Sequence, residues 1–229
     1  MSKDGDWILR EDEETCRHVL SVLEKHGAHY RFGAPLDIRW LAHGWSSHFE
    51  FTGETMRVRA DFFTRPPRIS NDELSALWLE QADKQPPFVD MVTLAKLKQT
   101  DREKDYVVIG ELARLMNGRE NQMRFSRSAL DLINLAKQYP ALIGKLKKER
   151  PLLAVVSKGN REHIEAALDA ERRDLIHRNE KRLAGFEKSA ECWRRHWPKL
   201  TQKIMGLPLH KAHPILAKDA VKYLPENAP

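Results

Sequence analysis

Cysteine is scarce in this chain, with two residues among 229, Cys16 and Cys192. They stand far apart in segments that read as helices, cannot form a zinc site by themselves, and are expected to be structural thiols. Glycine and proline are modest too, at 11 and 12, which excludes a collagen-like or disordered polymer, and the 41% hydrophobic content is enough for a packed core. No apolar run approaches the roughly 18 residues that a bilayer crossing needs. The stretch Met1 to Asp6 lacks the basic-then-apolar order of a signal peptide, so a cytoplasmic protein without a membrane partner is expected. Common catalytic signatures are missing as well: there is no Gly-x-Ser-x-Gly elbow, no His-Glu-x-x-His helix and no Gly-x-x-x-x-Gly-Lys-Ser/Thr loop. The histidines at 26, 29, 43 and 48 follow no zinc spacing, and no internal repeat is present.

Charge is abundant. The formal net charge is +6, and it is unevenly spread along the sequence. Residues 1–118 hold 16 Lys+Arg against 20 Asp+Glu, a balance of −4, whereas residues 119–229 hold 23 against 13, a balance of +10. A basic half suits an anionic polymer such as RNA or DNA, or else is a lysine-rich solvated helix surface.

The hydrophobic pattern predicts an α+β fold with its strands early and helices afterwards. Residues 11–26 have helical spacing with acids in the first turn, and Gly27 ends them. A short strand over 28–32 leads to Gly33-Ala34 and a helix from Pro35 to about Leu41. Strands at 48–51 and 56–63 flank the polar turn 52–55, and Pro66-Pro67 ends the second. A helix over 72–83 is followed by an apolar piece, 88–92, that reads as a last strand, then a helix over 93–98 and another, opened by a Thr100/Glu103 capping box, reaching Met116. Beyond this the pattern is helical: 126–139, interruption at Pro140, 142–148, and one long helix of about 160–198. Leu183, Phe186, Ala190, Trp193, Trp197 and Leu200 form its apolar stripe, expected to meet the preceding helices or a second subunit in a homodimer. The tail from Gly206 reads as loop with a short helix near 215–223. Two domains are drawn, 1–118 and 119–229.

Alternation in the two strands is the most informative local signal. His48 and Glu50 share one face and oppose Phe49 and Phe51; Arg57, Arg59 and Asp61 share a face and oppose Val58, Ala60 and Phe62. Acids and bases therefore gather on one side of a sheet. Lys98, Arg102 and Asp105 mark the junction of two later helices, and Arg65 and Arg68 flank the two prolines.

This arrangement over residues 11–116 resembles the nucleotidyltransferase superfamily, the fold of DNA polymerase beta palms and of abortive-infection or toxin-type nucleotidyltransferases. The features that carry the resemblance are Gly33-Ala34 before a helix ending at His43-Gly44, the acidic strands, and Val92-Thr-Leu-Ala-Lys-Leu-Lys98 followed by Arg102-Glu-Lys-Asp105. It implies a small mixed sheet with flanking helices, Gly33 and Ala34 holding a triphosphate at a helix start, and His48, Glu50 and Asp61 at the metal-binding carboxylate positions. Lys98, Arg102 and Asp105 would then sit near the phosphates. The implied chemistry is transfer of a nucleotidyl group from an NTP to an RNA or protein acceptor with Mg²⁺ or Mn²⁺. His48 departs from the pattern, because imidazole is a poor ligand for magnesium. Each position also has a plainer reading: Glu50 and Asp61 pairing with Arg57 or Arg59, His48 hydrogen-bonded near Trp45, and Arg102 and Asp105 in an ordinary ion-paired face. The alternative function is thus a catalytically inactive member of the fold that binds nucleic acid or protein.

Overall fold

The computed structural model describes residues 4–53 and 56–227. The fold is α+β, with a four-stranded mixed sheet near the N-terminus and twelve helices among the described residues. The elements are β1 (Asp4–Ile8), α1 (Glu13–Lys25), β2 (His29–Tyr30), α2 (Ile38–Leu41), β3 (Ser47–Thr52), β4 (Arg57–Phe63), α3 (Asn71–Gln81), α4 (Met91–Leu97) and α5 (Glu103–Leu115). There follow α6 (Arg119–Phe125), α7 (Ala129–Gln138), α8 (Pro140–Leu146), α9 (Leu153–Val156), α10 (Arg161–Ser189), α11 (Glu191–Ile204) and α12 (Leu209–Tyr223). The turn expected at 52–55 lies partly outside the described residues, at Glu54 and Thr55.

Local chemistry explains most boundaries. Asp12 accepts from the Thr15 amide at 2.6 Å and starts α1, which ends where Gly27 takes a left-handed φ of 63°. Ser70 and Glu73 form a reciprocal capping box for α3. The 88–92 piece is not a strand, because Asp90 accepts from the Val92 and Thr93 amides and opens α4. The expected Thr100/Glu103 box does not form either: the Arg102 amide donates to Thr100 Oγ1, whose hydroxyl goes to Asp105 at 2.6 Å. Pro140 begins a helix at its first turn, where its missing N–H costs nothing.

The chain forms two compact units, residues 1–67 with 183–229, and residues 68–182. This division differs from the 1–118 and 119–229 domains drawn on composition, since 118 falls inside the second unit. In the first unit the sheet order is β1-β4-β3-β2, with β1 parallel to β4 and the other pairs antiparallel. One sheet face carries Tyr30, Phe49, Ala60 and Phe62 into a core shared with Cys16 and Leu23 of α1, Trp193 and Leu200 of α11, and Leu216 of α12. The Trp stripe is therefore spent inside this unit, in the core that the sheet shares with α1, α2 and α12. Three buried indoles fix the arrangement, donating from Trp193 to the Gly33 carbonyl at 2.9 Å, from Trp40 to Leu224 and from Trp45 to Glu226. The predicted long helix breaks at Ala190 into α10 and α11, and the tail beyond Gly206 is a full helix from Leu209 with Pro214 inside it.

The second unit is helical and has two cores. Met123, Leu132, Leu146, Leu153 and Ile164 build one, while Ala95, Tyr106, Ile109 and Phe125 build the other. Its charge balance is 22 Lys+Arg to 18 Asp+Glu, and that of the first unit is 17 to 15. The acidic and basic halves of the sequence are thus not acidic and basic bodies in space. No helix among the described residues is long and apolar enough to cross a membrane.

Candidate functional site

The face of the sheet opposite the core is polar, and the register decides which residues meet there. His48 pairs with Asp61, Glu50 with Arg59, His29 with Glu50, Asp4 with Arg59 and Asp6 with Asp61. Side chains alternate along strands, so paired residues share a face and all of these lie on the same one. The sequence alternation found the β3 and β4 members. It missed β1, whose Asp4-Gly5-Asp6-Trp7 alternation was the available signal, and it missed Arg31, just beyond β2.

Two carboxylates organise this face. Glu50 is nearly buried, with 9% of its side chain exposed, yet four bases surround it: Arg57 at 2.5 Å, His29 at 3.4 Å, Arg59 at 3.8 Å and Arg31 at 4.0 Å. Arg57 foremost, with His29 and Arg31, holds the Glu50 carboxyl below the usual carboxylate range. Asp61 meets His48 Nδ1 at 2.7 Å and Arg31 Nη1 at 3.9 Å. The Arg31 guanidinium therefore lies within 4.0 Å of both acids.

His48 Nε2 also contacts Ser46 Oγ at 2.9 Å, giving a hydroxyl, imidazole and carboxylate in sequence. A proton relay needs the Asp–His contact to run along a ring N–H, and Asp61 Oδ1 makes no hydrogen bond despite its proximity. The two side chains are close without an aligned hydrogen bond, so the three groups do not form a connected relay in this geometry.

The metal expected from the resemblance does not fit these residues. His48 brings an imidazole where magnesium prefers oxygen, and the oxygens left without hydrogen bonds already have basic neighbours, Glu50 Oε2 beside Arg57 at 2.5 Å and Asp61 Oδ1 beside His48 at 2.7 Å, with Arg31 within 4.0 Å of both. Among the described residues no three His, Cys, Asp or Glu side chains are grouped so as to hold a metal ion.

The turn at Gly33-Ala34, expected to hold a triphosphate, has its backbone groups engaged elsewhere. The Ala34 amide donates to Ser46 O at 2.9 Å, the Gly33 carbonyl accepts from Trp193, and the Leu36 amide donates to Tyr30 Oη. The helix expected at Pro35 begins only at Ile38, capped by Asp37, and lasts four residues. Gly33 has a different purpose: a Cβ there would stand 2.5 Å from His48 Cδ2, so its bareness admits the imidazole. Asp37 also pairs with Arg39 at 2.8 Å.

Lys98, Arg102 and Asp105 belong to the second unit. Asp105 is buried and accepts from Thr100 Oγ1 and from Arg102 Nε at 3.0 Å, so the Arg102 charge is answered within the α4–α5 junction. Lys98 is the residue that ends α4. Arg65 binds Glu11 of the first unit at 2.7 Å, while Arg68 turns to carbonyls of α4 in the second, so the pair flanking Pro66-Pro67 is split between units.

Comparison with protein-family models, curated proteins and solved structures returns no match.

Proposed function

We propose that this chain is a nucleotidyltransferase-like protein that has exchanged metal-dependent transfer for binding, and that it acts as a nucleic-acid-binding module. The observation that carries this reading is Arg31, whose guanidinium stands within 4.0 Å of both Glu50 and Asp61. An organic cation near both carboxylates takes, in this reading, the electrostatic role that Mg²⁺ or Mn²⁺ has between paired acids. Arg57 then answers Glu50 at 2.5 Å, and the His48 ring stands 2.7 Å from Asp61. The binding half of the proposal is supported by the chain's net charge of +6, to which both compact units contribute a small surplus of cations.

Transfer and binding are separated by one experiment with two readouts. The full chain is incubated with each labelled NTP, Mg²⁺ or Mn²⁺, and RNA or protein acceptor, and in parallel titrated into fluorescent RNA and DNA at several salt concentrations. The expected result is no labelled product and an affinity that falls steeply as salt rises. A labelled product that Asp61→Ala abolishes would overturn the loss of catalysis, and absent or salt-independent binding would overturn the nucleic-acid role.

A further inference from the structure

Within the second unit a cleft of about 750 Å³ is bordered by seven Lys and Arg side chains and only three carboxylates. Such a volume suits a small organic ligand. Three of the seven cations are answered individually: Lys96 by Glu73, Arg124 by Glu149 and Arg178 by Asp174. The rest are not. Arg127 and Arg150 share a single acid, Glu171, at 2.5 and 2.9 Å, so one buried guanidinium charge has no counterpart. Arg127 Nε is buried without a hydrogen-bond partner. Arg68 donates only to neutral acceptors, the Lys96 and Leu97 carbonyls and Asn179 Oδ1. Lys148 is exposed at the rim.

Two further features converge here. Arg68 has a φ of 68°, a left-handed conformation uncommon for a residue with a side chain, and the conformation is maintained where it aims a guanidinium at the cleft wall. Burial weakens the hold of Arg68 and Arg127 on their protons, and the Arg127 guanidinium lies 5.3 Å from the centre of the Tyr106 ring. Charged groups kept dry and uncompensated are costly unless an anion completes them. Guanidinium forks match phosphate oxygens two at a time. Phe125, Leu152 and Leu175 supply an apolar wall beside the cations.

We infer that this cleft binds a nucleoside phosphate, its phosphates at the Arg68, Arg127 and Lys148 side and its base against the apolar wall. The ligand is either a free nucleotide or one nucleotide of a strand, and the strand form rests on the nucleic-acid reading given above. ATP, inorganic tripolyphosphate and a fluorescent single-stranded RNA dodecamer are titrated into the full chain and into Lys148→Glu/Arg178→Glu, both exposed positions. Arg68→Gly is the second variant, since glycine accepts the same φ while removing the guanidinium. Binding is expected to weaken at least ten-fold in both variants, with melting curves confirming that they remain folded. Nucleotide and tripolyphosphate binding lost in the variants establishes a free-nucleotide site, even where RNA does not bind and the nucleic-acid reading fails. RNA binding alone, lost in the variants, establishes the strand form. RNA binding that both variants leave unchanged overturns the cleft while leaving the nucleic-acid reading intact, and no binding by any probe overturns both.

Discussion

Replacing Glu50 by glutamine tests whether the polar sheet face is an ion-paired surface or a metal site, because the two readings predict opposite signs. Acids assembled for a metal repel one another without it, so neutralising one stabilises the free protein. Glu50 instead faces Arg57 at 2.5 Å, with His29, Arg59 and Arg31 between 3.4 and 4.0 Å. Glutamine removes the charge at nearly constant volume and leaves the bases facing one another. The arginines are 35 to 65% exposed, so each pair is credited only as a surface interaction. At about 0.2–1 kcal/mol for a surface pair, with the nearest contributing most, the loss comes to about 1–2 kcal/mol. That lowers the melting temperature by about 2–8 °C for a chain of this length. The difference should shrink in 1 M salt, where the screening length is about 3 Å. It should also vanish in acid. Because the folded-state pKa of Glu50 is depressed, its contribution is fully present above the unfolded value near pH 4.3 and is lost as pH falls through the folded one. Thermal melts of Glu50→Gln at two salt concentrations and from pH 7 to 3 provide the measurement. A variant that melts at or above the parent at pH 7 would refute the ion-pair account.

Removing the Arg31 cation and placing an acid at position 48, in Arg31→Ala/His48→Asp, should create a Mn²⁺-dependent rise in melting temperature that the parent lacks; equal response in both proteins would contradict the assignment of Arg31. Gly33→Ala should cost about 1–3 kcal/mol in urea unfolding through its clash with His48, and His48→Ala should recover most of it if the 2.5 Å approach is the cause. Trp193→Ala should cost about 3–5 kcal/mol and speed hydrogen exchange of the β3 amides, whereas unchanged β3 protection would separate α11 from the sheet core.

The sequence made local periodicity readable and left long-range pairing hidden. The alternation in β3 and β4 identified the polar face correctly because one side of those strands is buried, and burial writes a period of two into the residues. It did not reveal that Arg31 reaches both acids, since that contact depends on where β2 pairs with β3. Trp193 and Leu200 stood out as an apolar stripe, but periodicity names a face and not its partner, which proved to be a sheet formed some 140 residues earlier. Asp90 was overlooked as a cap because Phe88 and Val89 before it and Met91 and Val92 after it mimic a strand, and a side-chain hydrogen bond to the backbone outweighs that preference. The nucleotide cleft left no motif, as its cations come from separate segments between Arg68 and Arg178.

Charge shows most clearly what folding changes. Along the sequence the balance runs from −4 to +10, while the two compact units hold 17 cations to 15 acids and 22 to 18. Surpluses that small spread over whole units give little long-range field at physiological salt, where screening acts within about 8 Å. Attraction for an anion must then come from places where cations crowd and acids are few. The sheet face does not meet that condition, because Glu50, Asp61 and the arginines satisfy one another. The cleft of the second unit does, with Glu171 divided between Arg127 and Arg150 and Arg68 held by neutral carbonyls. Substituting lysines elsewhere on the helices should therefore change the rate of encounter with an anionic partner, whereas substituting these arginines should change how long it stays.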